Sequence, residues 1–183
     1  MPIARYSLAQ RLVHWTVALC VLGSLTMGLT LGTLGFDGAV KAFGQDATNA
    51  LYKYHKSFGV LILGLMLLRV GLWVGLGRPA LPDTMPPLQR LAAIANHAGL
   101  YALLIAMPVV GWMATASGGY PVEFFGWVLP GFLAKDPALS DWLYGLHGTL
   151  AYAIIALVGL HIAAALHHWR VRRDGIIRRI SLP

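Results

Sequence analysis

The chain has 183 residues, of which 57% are hydrophobic and only 11% charged, with a mean hydropathy of +0.66. Soluble domains carry about 25% charged residues, so an ordinary soluble fold is excluded and one membrane domain over 1–183 is expected. The net charge of +7 does not signal nucleic acid, because the charges cluster at the ends of apolar segments, as membrane topology requires.

Four stretches meet the spanning criterion of about 20 mostly apolar residues, at roughly 12–34, 52–76, 93–116 and 141–168. The first lies behind Arg5 and Arg11. It is too long for a signal peptide and lacks a small-x-small cleavage pattern, so it reads as a retained helix. Gly35 to Asn49 is expected to be the first loop. The second loop is rich in proline (Pro79, Pro82, Pro86, Pro87), which stops helices. The third, 117–140, mixes Gly118-Gly119, Pro121, Pro130 and Pro137 with Phe124, Phe125, Trp127 and Phe132. It is too apolar for a free loop and too broken to span, and reads as a segment lying in the membrane interface. The six tryptophans and seven tyrosines read as interface belts. Gly59, Gly64, Gly148 and Gly159 suit close helix approach or room for a flat ligand.

With the N-terminus inside, one face receives Arg5, Arg11, Arg78, Arg90, Arg170, Arg172, Arg173, Arg178 and Arg179. The other receives Lys41, Lys53, Lys56, Lys135 and most of the acids. This bias puts both termini in the cytoplasm. The single cysteine, Cys20, sits inside the first segment, so no disulfide can form within the chain, and no Cys-x-x-Cys-His occurs. Any haem is therefore held without covalent attachment, as b-type.

His147 and His161 stand fourteen residues apart on the fourth segment. That spacing returns a side chain to within about 40° of the same helix face, roughly 21 Å along the axis. His14 lies near the cytoplasmic end of its segment and His55 near the far end of the second. Depths then match in two pairs, His55 with His147 and His14 with His161. Ionisable residues inside a bilayer are costly and usually functional, and neutral imidazole is a good axial ligand to haem iron. The expected architecture is an all-α membrane protein, a four-transmembrane-helix bundle with two b haems stacked across the bilayer. Arg69, fourteen residues after His55, reaches the depth of the cytoplasmic pair and could neutralise a haem propionate or snorkel to the surface. His97 opens the third segment without an obvious partner on the fourth helix; it could contact a propionate or a quinone, or cap the helix. Ligation by His168 instead of His161 would stretch the fourth-helix pair to about 31 Å, too far for both haems to stay in the bilayer. His167 and His168 therefore belong at the water boundary.

With these residues in place, the chain resembles the bacterial cytochrome b561 family over nearly its whole length. The resemblance rests on Arg11-Leu-Val-His14-Trp15, on Tyr54-His55-Lys56-Ser57-Phe58-Gly59, and on His97-Ala-Gly-Leu-Tyr101 through Met107-Pro108 to Gly111. The fourth stretch is Leu146-His147 through Gly159-Leu-His161. It implies a four-helix inner-membrane protein with two b haems that exchanges electrons with ubiquinone, its axial ligands falling on His14, His55, His147 and His161. It also suggests a superoxide oxidase. A basic rim raises the local concentration of a small anion, and Arg78, His97 and His168 near the cytoplasmic haem could form one or could equally be topology charges and a quinone site. The loop 117–140 and the His97 region are both open as quinone sites. Two other readings stand beside this one: an electron-transfer subunit of a larger dehydrogenase or hydrogenase complex, and a haem-free structural or transport protein.

Overall fold

The computed structural model describes residues 5–82 and 85–182, and its described elements are four long helices, one short hairpin and a folded C-terminal tail. Helix α1 runs Leu8–Phe43, α2 Gln45–Leu76, α3 Pro87–Ser117 and α4 Pro137–His167. Each contains a span long and apolar enough to cross a membrane. Ser7 starts α1 with a capping box: its Oγ accepts from Gln10 N–H, and Gln10 Oε1 accepts from Ser7 N–H. Asp136 caps α4 by accepting from Leu139 N–H at 3.0 Å, with Pro137 in the first turn.

The expected loop at 35–49 is helical instead. Helix α1 breaks at Gly35, which sits at φ 66°, and resumes to Phe43; Gly44, at φ 84°, then separates it from α2. The stretch contains no proline, and Ala39, Lys41, Ala42, Gln45 and Ala47 are good helix formers. The chain therefore turns through two left-handed glycines and stays helical between them. The second connection behaves as its prolines predict, opening after Gly77 at φ 70° and closing at Pro87.

Helix α1 packs on α2, α2 on α3 and α3 on α4. The centre of the bundle is an apolar layer of Val17, Cys20, Val21, Ile62, Met66, Leu104 and Ile154. Ile154 is seven residues from both His147 and His161, so this layer divides the bundle into two ends. The outer surface is strongly apolar, with Leu19 70% and Val74 76% exposed. Such a surface would be a liability in water and suits lipid. This is a multi-pass membrane protein.

The segment 117–140 is neither a free loop nor a span. Strands β1 (Val122–Phe124) and β2 (Trp127–Leu129) form an antiparallel hairpin turning at Phe125 and Gly126. It is pinned to α2: Ser57 Oγ accepts from Phe125 N–H at 2.7 Å, and Lys56 reaches the Glu123 carboxylate and the Pro121 carbonyl. Trp127, 72% exposed, and Val128 remain outside.

Both termini lie at the other end. Past α4 the chain makes a wide turn over His168–Arg172 and a tight one over Ile176–Arg179, then folds back on the start of α1. Arg5 and Arg11 both donate to the Ser181 carbonyl, Trp15 Nε1 donates to Ile180, and Tyr6 N–H to Arg179. Inside this tail His168 Nδ1 meets Asp174 Oδ2 at 2.5 Å, with Arg172 alongside. Partial burial pushes the Asp174 carboxyl up, but the hydrogen bonds from His168 and the Ile176 N–H and the Arg172 charge outweigh it, holding the group below the usual carboxylate range. A depressed carboxylate stabilises the fold above its unfolded value near 4 and loses that contribution as pH falls through the folded value. Protection of the amides over 168–182, taken relative to their intrinsic exchange rates at each pH, should therefore hold from neutral pH down to about 4 and fall below it. An Asp174→Asn variant should show the reduced protection already at neutral pH.

Candidate functional site

The positions fourteen residues apart define the site. On all four helices they fall at two depths: His14 and Gly28 on α1, His55 and Arg69 on α2, His97 and Gly111 on α3, His147 and His161 on α4. One layer, at the end carrying both termini, contains His14, Arg69, His97 and His161. The other, at the hairpin end, contains Gly28, His55, Gly111 and His147. The apolar centre lies between them.

In the hairpin-end layer the rings of His55 and His147 have centroids 6.1 Å apart. In the terminal-end layer His14 and His161 are 6.2 Å apart. Two imidazoles on opposite sides of one metal, each nitrogen about 2.0–2.1 Å away, set their ring centres roughly 6 Å apart. His55 Nδ1 lies 3.1 Å from the Ser24 carbonyl and 3.3 Å from its hydroxyl. A carbonyl only accepts, so Nδ1 carries the proton and Nε2 keeps the lone pair a metal needs. The buried Nδ1 atoms of His14 and His147 make no well-formed hydrogen bond, although the Met107 backbone lies close enough to act on His147. Among the described residues no group of three or more His, Cys, Asp or Glu could hold a bare metal ion. Imidazole pairs suit a metal whose other ligands come from a porphyrin.

Two glycines make the hairpin-end layer possible. A Cβ on Gly28 would stand 2.8 Å from His55 Cε1, and one on Gly111 would stand 2.8 Å from His147 Cε1. A cavity of about 1370 Å³ opens around this pair, lined by both histidines and both glycines and reaching Tyr52, Lys53, Thr115 and Tyr144. Gly59 and Gly148 line it too, whereas Gly64 and Gly159 do not, and no atom lies near enough to any of the four to mark a close helix approach. Among the described residues, the glycines where an added Cβ would come under 3.0 Å from a neighbour are Gly28, Gly99 and Gly111. Sequence reasoning passed over Ser24 and Gly28 and gave Gly111 no role beyond the resemblance, although the fourteen-residue interval from His14 and His97 marks both glycines.

His97 does have a fourth-helix partner. Its ring stands 5.2 Å from that of His161, nearly perpendicular to it, and its Nδ1 donates to the Ala93 carbonyl at 2.6 Å. One turn of helix separates these atoms, so the backbone sets the tautomer and Nε2 is left as an acceptor. Arg69 does not snorkel away: its guanidinium stacks 5.2 Å over the Tyr101 ring and acts electrostatically on His14 and His161. Arg78 lies over Trp73, and His168 is committed to Asp174. The structure thus brings His97 and Arg69 to the imidazole pair and gives Arg78 and His168 partners of their own.

The family described as prokaryotic cytochrome b561 matches residues 5–181. The chain belongs to that family. Among its relatives, cytochrome b561 homolog 2 of Escherichia coli (strain K12) is 33% identical over 96% of this chain and 90% of the relative. A probable superoxide oxidase CybB of Yersinia pestis is 28% identical over 96% and 95%. Cytochrome b562 of Cereibacter sphaeroides is 27% identical over 97% and 96%. As a cytochrome b561, the protein is a redox-active membrane electron carrier that binds b-type haem, and the paired imidazoles are the groups in this chain suited to hold it.

Proposed function

We propose that this cytochrome b561 oxidises superoxide and passes the electrons through two b haems to ubiquinone in the bacterial inner membrane, with both termini cytoplasmic. The observation that carries the reading is the pair of imidazole pairs, each at the separation two axial ligands of one iron require. In this reading His55 and His147 hold one haem and His14 and His161 the other. A haem iron bound by two imidazoles carries one electron at a time between its ferric and ferrous states. The likeness to a probable superoxide oxidase supports superoxide as the donor.

The chain's own residues have the following roles. Ser24 orients His55 through its Nδ1–H, so that the ring presents Nε2 to the metal. Gly28 and Gly111 leave the two imidazole rings their space. Arg69 meets a haem propionate, since it lies beside the His14–His161 pair with no carboxylate partner among the described residues. His97 offers Nε2 as an acceptor to the hydroxyl of the quinol product at the edge of that layer. Arg78 contributes fixed positive charge at the same end, raising the local concentration of a small anion, with His168 held nearby against Asp174. Each superoxide gives up one electron and leaves as dioxygen. Each ubiquinone takes two electrons and two protons, so two superoxide ions are consumed for every quinol formed.

The test is a pyridine haemochrome count on the purified protein, followed by superoxide-driven ubiquinone reduction measured as quinol formation. Two haems per chain and turnover that superoxide dismutase suppresses are expected. One haem would overturn the two-layer reading. Two haems without turnover would leave the cytochrome and overturn the substrates, and co-purification of a soluble iron–sulfur partner would then mark it as a subunit of a larger complex.

A further inference from the structure

The two layers share a spacing but not a charge. At the hairpin end the two positions outside the imidazole pair are Gly28 and Gly111; at the terminal end they are Arg69 and His97. Arg69 is confined between helices, stacked on Tyr101, and acts electrostatically on both His14 and His161. No described cation acts comparably on His55 or His147, which are influenced by burial, by backbone carbonyls and by one another. Two lysines line that cavity: Lys56 is closed onto Glu123, and neither it nor Lys53 acts measurably on the two imidazoles. Arginine keeps its charge in any protein environment, and in a water-poor interior that charge is weakly screened.

We infer that Arg69 makes the His14–His161 haem the higher-potential of the two, so that an electron shared between the two haems settles at the terminal end. The inference rests on the two-haem reading above. A ferric haem with two neutral imidazoles carries one more positive charge than its ferrous form, so a fixed cation beside it destabilises the ferric state. The transfer moves one electron from the His55–His147 site to the His14–His161 site, with no bond made or broken and no proton required. A propionate paired with Arg69 does not change the sign, because losing the guanidinium would leave that carboxylate uncompensated and lower the potential further.

Redox titration of the purified protein, followed in the visible absorption bands, tests this. His55→Ala and His14→Ala, which each retain one layer, assign the two midpoints. The midpoint seen in His55→Ala should lie above that seen in His14→Ala. Arg69→Met should lower the upper midpoint by at least a ten-fold change in its one-electron equilibrium, 59 mV for a single electron, and leave the other unmoved. Arg69→Lys should restore most of the gap, which a merely structural role of the arginine would not predict. Equal shifts of both midpoints, no shift, or a higher midpoint for the His55–His147 layer would overturn the inference. If Arg69→Met loses the terminal-end haem, the Arg69→Lys midpoint and the order of the two single-layer midpoints still decide. Fewer than two haems in the unmodified protein would instead overturn the two-haem reading itself.

Discussion

On the two-haem reading proposed above, His147→Ala should leave one haem per chain and His161→Ala should leave the other. The haem content by pyridine haemochrome should fall by half in each, and the two residual difference spectra should sum to that of the parent. The reason is the geometry of α4, whose two histidines are divided by Ile154 and the apolar layer around it. Removing an axial imidazole takes away a metal–nitrogen bond that no nearby side chain replaces at the hairpin end, where the remaining inward positions are glycines. Loss of both haems in each variant would mean the layers are not independent. His168→Ala is the matching control. Its Nδ1 is engaged with Asp174 in the tail, so both haems should remain. If one were lost there, the ligand role of His161 would have to be reconsidered.

Gly111→Leu should empty the hairpin-end layer as effectively as removal of a ligand, without altering any histidine. The first carbon of any side chain at 111 would stand 2.8 Å from His147 Cε1 and 3.1 Å from its Nδ1. Both residues sit in the middle of long helices, α3 and α4, so the backbone cannot yield cheaply and the imidazole must swing away. Inserting bulk into a packed site typically costs about 1–3 kcal/mol. The haem count should fall to one, with thermal stability reduced to match, while the terminal-end chromophore keeps its spectrum. Gly64→Ala is the comparison, since nothing lies within 4 Å of the added carbon. It should retain both haems, and loss of one there would separate haem binding from the contact invoked at Gly111.

The tail and the first connection were the least legible parts of the chain. A glycine followed by polar residues reads as a loop, yet Gly35 and Gly44 each absorb a sharp change of direction within one residue, and the residues between them are helix formers. The arginines of the C-terminal stretch read as a topology signal. Two are also tethers, Arg179 donating to the Ala80 carbonyl and Arg172 to the Gln89 side chain, and such partners far away in the chain leave no local pattern. The hairpin in 117–140 was hidden for a related reason: its pairing is only three residues long on each strand, and Lys56 and Ser57 hold it from another helix.

What the sequence determined by itself is depth. An α-helix is a rigid ruler of about 1.5 Å per residue, so the intervals between His14, His55, His147 and His161 and their segment ends placed two pairs at two levels before any packing was known. Rotation of each helix about its own axis, and which neighbour it meets, are set by side-chain interdigitation between segments distant in the chain. Only the tertiary structure could therefore put His97 against His161, stack Arg69 on Tyr101, and press the two histidine rings of the other layer against Gly28 and Gly111.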